Sequence, residues 1–212
     1  MQCVTEIAVE KAHGGVFTRA EVVCWVGGSL GRQFSLLKRA VAAKEIVRIH
    51  RGLYCLAPRY LRAKVDPLAL AQRVYGPSYI SLETALSYHG WIPEAVYTIT
   101  SVSLDRSREF DTPVGRFSFT RIPQRALYAG VGCVETDPGN RFFLASPLKA
   151  LADYVYAHKC DWDSRRPLVE SLRIEESSLG DLAASSFDGL AGQYTFRRVR
   201  RFLDGLRKDL NL

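Results

Sequence analysis

Between residues 29 and 51 the chain carries six cations, Arg32, Lys38, Arg39, Lys44, Arg48 and Arg51, against a single acid, Glu45. Such density suits the phosphates of a nucleic acid. Each Lys or Arg that meets a phosphate releases a condensed counterion, and an Arg fork matches the O6/N7 edge of a guanine. Ser29, Gln33, Ser35 and His50 lie among these cations. The expected DNA-binding set is therefore Ser29, Arg32, Gln33, Ser35, Lys38, Arg39, Arg48, His50 and Arg51. Other groupings are weaker. Asp105, Glu109 and Asp111 are acids of the kind a metal-dependent nuclease uses, but Arg106 and Arg108 interleave with them, and the stretch reads as a solvated hairpin connection. Ser81, Glu83 and His89 have the residue types of a hydrolase triad, yet Ser81 is explained as a helix cap and Glu83 by the helix dipole, and no G-x-S-x-G occurs. There is no P-loop, no GxGxxG and no H-E-x-x-H. Cys3, Cys24, Cys55, Cys133 and Cys160 are widely separated, with no C-x-x-C pair and no His at ligand spacing. The expectation is a binding protein and not an enzyme, with no catalytic residue, no metal and no cofactor.

The net charge of +7 is unevenly divided. Residues 1–62 hold ten Lys/Arg against four Asp/Glu, whereas residues 63–212 hold nineteen against eighteen. A basic excess confined to a small part of a chain is the electrostatic footprint of a nucleic-acid binder. At 212 residues, with no low-complexity tract, the chain has the size of two small folded domains. No apolar run is long enough for a membrane span, and MQCVTEIAVE lacks the basic and apolar regions of a signal peptide, so a cytoplasmic location without a membrane partner is expected.

The elements that must position the cations are legible in order. Val4, Ile7 and Ala8 give a helical stripe ending at Gly14-Gly15. Thr18 and Glu21 form a capping box ahead of a short second helix, Arg19 to about Val26. Gly27-Gly28 then turns the chain, and Ser29 caps a third helix running to about Lys44. On it Leu30, Phe34, Leu37 and Val41 share one face, predicted to be buried, with Arg32, Ser35 and Arg39 opposite. IVRIHRGLYCLA reads as a hairpin of strands Ile46–His50 and Leu53–Leu56 about Arg51-Gly52. Helix, helix, glycine turn, helix and hairpin is the order of a winged helix-turn-helix.

After Pro58, RYLRAKVDP reads as a linker. Beyond it come a strand at Tyr79–Ile80, a helix capped by Ser81 and ended by Gly90, and strands over 97–104, 115–122 and 142–145. Ser146-Pro147 then starts another helix, and residues 164–212 read as helical. Their last helix, in TFRRVRRFLDGLRK, is amphipathic and basic, with a solvated outer face as the default. The expected fold is α+β: a winged helix-turn-helix over residues 1–62, then an α+β domain over 63–212 with a small β-sheet and a helical C-terminus.

The chain resembles the AbiEi-type antitoxins, transcriptional regulators of bacterial toxin-antitoxin and abortive-infection operons. The resemblance spans roughly residues 10–160 and rests on GGVFTRAEV, LLKRAVAAKEIVRIHRGLYCLAP, YISLETALSYHGWIP, TPVGRFSFTRIP and FFLASPLKALADYVY. One departure is Leu148 after Ser146-Pro147, where the family has an acidic residue. The resemblance implies an N-terminal winged helix that binds inverted repeats of double-stranded operator DNA as an autorepressor of a type IV-like system. It also implies a C-terminal domain that counteracts a cognate nucleotidyltransferase-like toxin. The alternative is a stand-alone winged-helix regulator whose C-terminal domain senses a ligand or dimerises.

Overall fold

The computed structural model describes residues 3–137 and 140–212. The N-terminal segment is built from α1 (Val4–Lys11), a 3-10 turn at His13–Gly15, β1 (Val16–Thr18), α2 (Arg19–Trp25), α3 (Leu30–Ala42), β2 (Ile46–His50) and β3 (Leu53–Leu56). β3 lies between β1 and β2 and is antiparallel to both. Thr18 and Glu21 close the capping box: the Thr18 amide donates to Glu21 Oε2 (2.6 Å) and the Glu21 amide to Thr18 Oγ1 (3.2 Å). Gly28 at φ 97° makes the turn into α3, a conformation that side chains with a Cβ rarely adopt. Ser29 Oγ then accepts from the Arg32 amide at 3.4 Å.

Val4, Ile7 and Ala8 of α1 bury against Phe17, Val22, Val26, Leu36, Leu37, Ala40, Ile46 and Leu56. The face that α3 turns inward differs from the predicted one. Gln33, Leu36, Leu37 and Ala40 are buried, while Leu30 is 58% exposed and Phe34 and Val41 are only partly buried. The helix is rotated by nearly one residue step of ~100°. The reason is polar: the Gln33 side-chain amide reaches the carbonyls of Val23 (3.3 Å), Val26 (3.1 Å) and Gly28 (3.2 Å), acceptors at the end of α2 and in the turn that follows it.

The rest of the chain comprises α4 (Pro67–Val74), β4 (Ser78–Ile80), α5 (Leu82–Tyr88), β5 (Thr98–Ser103), β6 (Arg108–Thr112), β7 (Gly115–Arg121), β8 (Val131–Asp137), β9 (Asn140–Ala145), α6 (Pro147–Ala157), α7 (Arg166–Leu172), α8 (Glu176–Gly180), α9 (Ala184–Leu190) and α10 (Arg197–Asp209). The fold is α+β. Its six strands run β6-β7-β5-β4-β9-β8, with β4/β9 and β5/β7 parallel and the remaining pairs antiparallel. Because side chains alternate across a sheet, the two faces meet different helices. Tyr79 reaches Asp153 of α6, and Thr100 Oγ1 accepts from the Thr84 amide of α5. On the opposite face Phe110 and Phe119 pack against Tyr75 at the end of α4.

Strands β1 and β8 lie where no element is expected, and two predicted connections hold elements. The predicted linker ends in α4, with Asp66 capping the Leu68 amide (2.8 Å) and Pro67 in the first turn. The predicted hairpin connection around Asp105, Glu109 and Asp111 contains β6, an edge strand. The back of the small sheet is also not free. Val16, Ile49, Leu53 and Cys55 belong to the same buried cluster as Leu70, Val74 and the six-stranded sheet. Arg73 of α4 donates to the Val16 carbonyl (2.8 Å) and pairs with Glu21 (3.1 Å).

Candidate nucleic-acid interface

Along the outer face of α3, Arg32, Ser35, Lys38 and Arg39 are exposed, and Ser29 stands exposed at its start. The Ser35 hydroxyl donates back to the Gly31 carbonyl (2.9 Å), as helical serines often do, and keeps lone pairs for a partner. The one acid of this stretch does not neutralise the row. Glu45 Oε2 accepts from Thr5 Oγ1 of α1 at 2.7 Å. Among the described residues none of Arg32, Lys38, Arg39, Lys44, Arg48 or Arg51 makes an ion pair.

Gln33, expected among the DNA contacts, is 4% exposed, and its amide nitrogen serves the α2–α3 turn. His50 is only half-buried, but its ring stands edge-on against Phe110 of β6 (centroids 4.8 Å, 85°), so it ties the hairpin to the larger sheet. Arg48 Nε lies 3.5 Å from the His50 carbonyl, and both Arg48 and Arg51 are exposed.

Arg19 belongs with these residues, and no local pattern marks it. Its guanidinium lies 3.6 Å from the centre of the Phe34 ring on α3, while its amide donates to the Gly52 carbonyl at the hairpin tip (2.8 Å). Arg19 is exposed and makes no ion pair among the described residues. It therefore joins the α3 face to the hairpin, prepositioned by stacking on an aromatic ring. The array can neutralise phosphates with Arg19, Lys38, Arg48 and Arg51 and offer Arg forks from α3 to base edges. Residues 6–57 match the family described as transcriptional regulator, AbiEi antitoxin. That AbiEi match runs from within α1 to the end of β3, the segment carrying the whole array. No curated protein matches the chain.

The two other groupings of chemical residue types are dispersed. His89 Nε2 lies 2.9 Å from the Ala145 carbonyl, and Glu83 faces His158 (2.7 Å). Burial pushes the Glu83 carboxyl up, but the His158 hydrogen bond and its own backbone amide outweigh this and hold it below the usual range. Ser81, expected to cap α5, makes no cap; its hydroxyl donates to Asp153 (2.8 Å). Asp105 accepts from the Tyr75 hydroxyl (2.7 Å), Asp111 pairs with Arg116 (2.7 Å), and Glu109 is exposed on β6.

Within the larger part lies a polar cluster absent from the sequence reading. Lys149 and Asp153 are both 0% exposed and 3.3 Å apart, one helical turn along α6. Lys149 donates to Tyr194 (2.6 Å) and to Gln124; Asp153 accepts from Tyr79 (2.7 Å), Ser81 (2.8 Å) and Tyr194 (2.6 Å). Burial pulls the Lys149 ammonium below its ordinary value, and burial together with the Asp153 carboxylate pushes the Tyr79 and Tyr194 phenols well up. Closed to solvent and fully partnered, this cluster fixes the register of α6 on the sheet. The i,i+4 spacing of Lys149 and Asp153 inside an apolar helix is the signal that could have found it.

Proposed function

We propose that the chain is the antitoxin of a type IV-like toxin-antitoxin system and acts by binding, not catalysis. In this reading residues 1–62 form a winged helix-turn-helix with α3 as recognition helix and β2–β3 as wing. They bind inverted repeats of double-stranded operator DNA and repress the protein's own operon. Residues 63–212 counteract a cognate nucleotidyltransferase-like toxin in the cytoplasm. The family match over residues 6–57 supports the regulator and antitoxin parts. No helix of the described residues is long and apolar enough to cross a membrane.

The observation that carries the DNA-binding part is the unneutralised cation row on α3, with Glu45 turned to Thr5. Its test is fluorescence anisotropy with the DNA upstream of the protein's own reading frame. Arg39→Ala is expected to weaken binding by about 1–3 kcal/mol if the side chain reads a guanine, and Arg32→Ala to weaken it as well. Unchanged binding by both variants removes α3 from the recognition role. The toxin part is tested by co-expressing the adjacent reading frame from an unrelated promoter, with growth rescue as the expected outcome.

A further inference from the structure

A cleft of about 900 Å³ opens where the β2–β3 hairpin, the connection 58–67 and the β6–β7 turn come together. That is within the range of small-molecule sites, which favour seams between packed units. Its walls are apolar: Val47, Cys55, Leu56, Leu61, Val65 and Val114. Burial pushes the Cys55 thiol up to about 11, so it is an uncharged wall at neutral pH. The charged residues of the lining are unequal in availability. Asp66 is committed to the Leu68 amide (2.8 Å) and the Thr136 hydroxyl (3.1 Å). Arg62 and Lys64 are exposed and make no ion pair among the described residues.

An apolar hollow with two uncommitted cations among its lining fits one chemistry: an amphipathic anion, with a flexible apolar body against Val47, Leu56 and Val114 and its anionic head beside Arg62 and Lys64. We propose that this cleft binds a small amphipathic carboxylate of the medium-chain fatty-acid class, and that the ligand is thermodynamically linked to operator binding. The linkage rests on the reading of β2–β3 as a DNA-contacting wing. Part of the lining is that hairpin, and another part is the turn following β6, the strand whose Phe110 already holds His50. A ligand spanning both parts sets the position of Arg48 and Arg51 relative to α3. By reciprocity it changes operator affinity by the same factor by which operator changes its own.

Decanoate is the probe and decanol its uncharged control, each titrated calorimetrically into the full chain without DNA. Decanoate is expected to saturate one site per chain. The surface double variant Arg62→Ala/Lys64→Ala is expected to weaken decanoate about tenfold through loss of charge-assisted contacts and to leave decanol unchanged. Val114→Trp, which fills the cleft from a half-buried position in the β6–β7 turn, is expected to abolish binding of both. Absence of saturable decanoate binding, or equal affinity in the double variant, overturns the site, and the double variant decides alone if Val114→Trp fails to fold. A concentration-dependent dimer abolished by Val114→Trp means that a second copy fills the cleft and also overturns it. A decanoate affinity that is the same with and without bound operator overturns the linkage and leaves the site standing, whereas failure to bind any DNA strikes the function proposed above and not the cleft.

Discussion

Arg19 shows how a single side chain acquires a role that its own surroundings in the sequence do not announce. Stacked on Phe34 with its amide on Gly52, it is held without an acidic partner. Arg19→Ala is expected to reduce the slope of log K against log salt by about 1, one phosphate contact, with base preference unchanged. Anisotropy titrations at several KCl concentrations read this directly, and an unaltered slope removes Arg19 from the interface. Lys149 makes the complementary case in the interior. Lys149→Met leaves the Asp153 carboxylate buried without its countercharge, and such a loss costs about 3–5 kcal/mol, whereas Lys149→Met/Asp153→Leu should recover much of it. Denaturant midpoints of the two variants provide the comparison. The same cluster sets an alkaline limit. Tyr79 and Tyr194 have raised values, so the folded chain keeps protons that the unfolded chain releases; their contribution is complete below the ordinary phenol value of about 10 and is lost above it. Lys149 acts in the opposite sense, because its lowered value makes stability rise with pH up to about 10.4. Beyond that only the tyrosine effect remains. An ultraviolet alkaline titration should therefore show the phenolates of Tyr79 and Tyr194 appearing with loss of circular dichroism, and Tyr79→Phe/Tyr194→Phe should delete that step.

At the level of elements, local chemistry was the guide wherever an end signal was sharp. The Thr18–Glu21 box, the Ser29 cap, the Arg51-Gly52 turn and the Ser146-Pro147 start all correspond to observed boundaries. Asp66-Pro67 is a cap of the same type, and the start of α4 is legible there although the expected linker runs through it to Pro67. The strand β6 was not legible, for a physical reason: REFDT places Arg108, Glu109 and Asp111 on an edge, where charge discourages pairing with other chains and looks in sequence like a solvated loop. The buried face of α3 differs from the predicted one because a glutamine, not an apolar residue, completes it. The hairpin makes its own prediction. Arg48→Ala/Arg51→Ala should lower the salt slope by roughly 2, at about 0.9 per phosphate contact, without shifting the melting temperature. A shift in melting temperature with no change of slope would mean that these arginines serve the fold.

For the molecule as a whole, the expected division after residue 62 rests on charge and on where the helix and hairpin pattern ends, and neither reveals packing. Val16, Ile49, Leu53 and Cys55 share their buried cluster with α4 and the six-stranded sheet. The order of that sheet, with β4 beside β9, depends on partners far apart in the chain and has no local signature. The full chain is expected to unfold in one cooperative calorimetric transition. Two separated transitions would show that the shared cluster contributes little.

The contact from Arg73 to Val16 and Glu21 bears on how this protein can be recombined with others. Glu21 is the residue that closes the start of α2, so a side chain lying beyond the basic segment steadies the entry to that helix. A chimera joined after Arg62 loses that support and bares four apolar residues. One joined after Val74 carries α4 along as a lid, and it is the transplant expected to keep the melting temperature of the N-terminal unit when fused to a foreign partner.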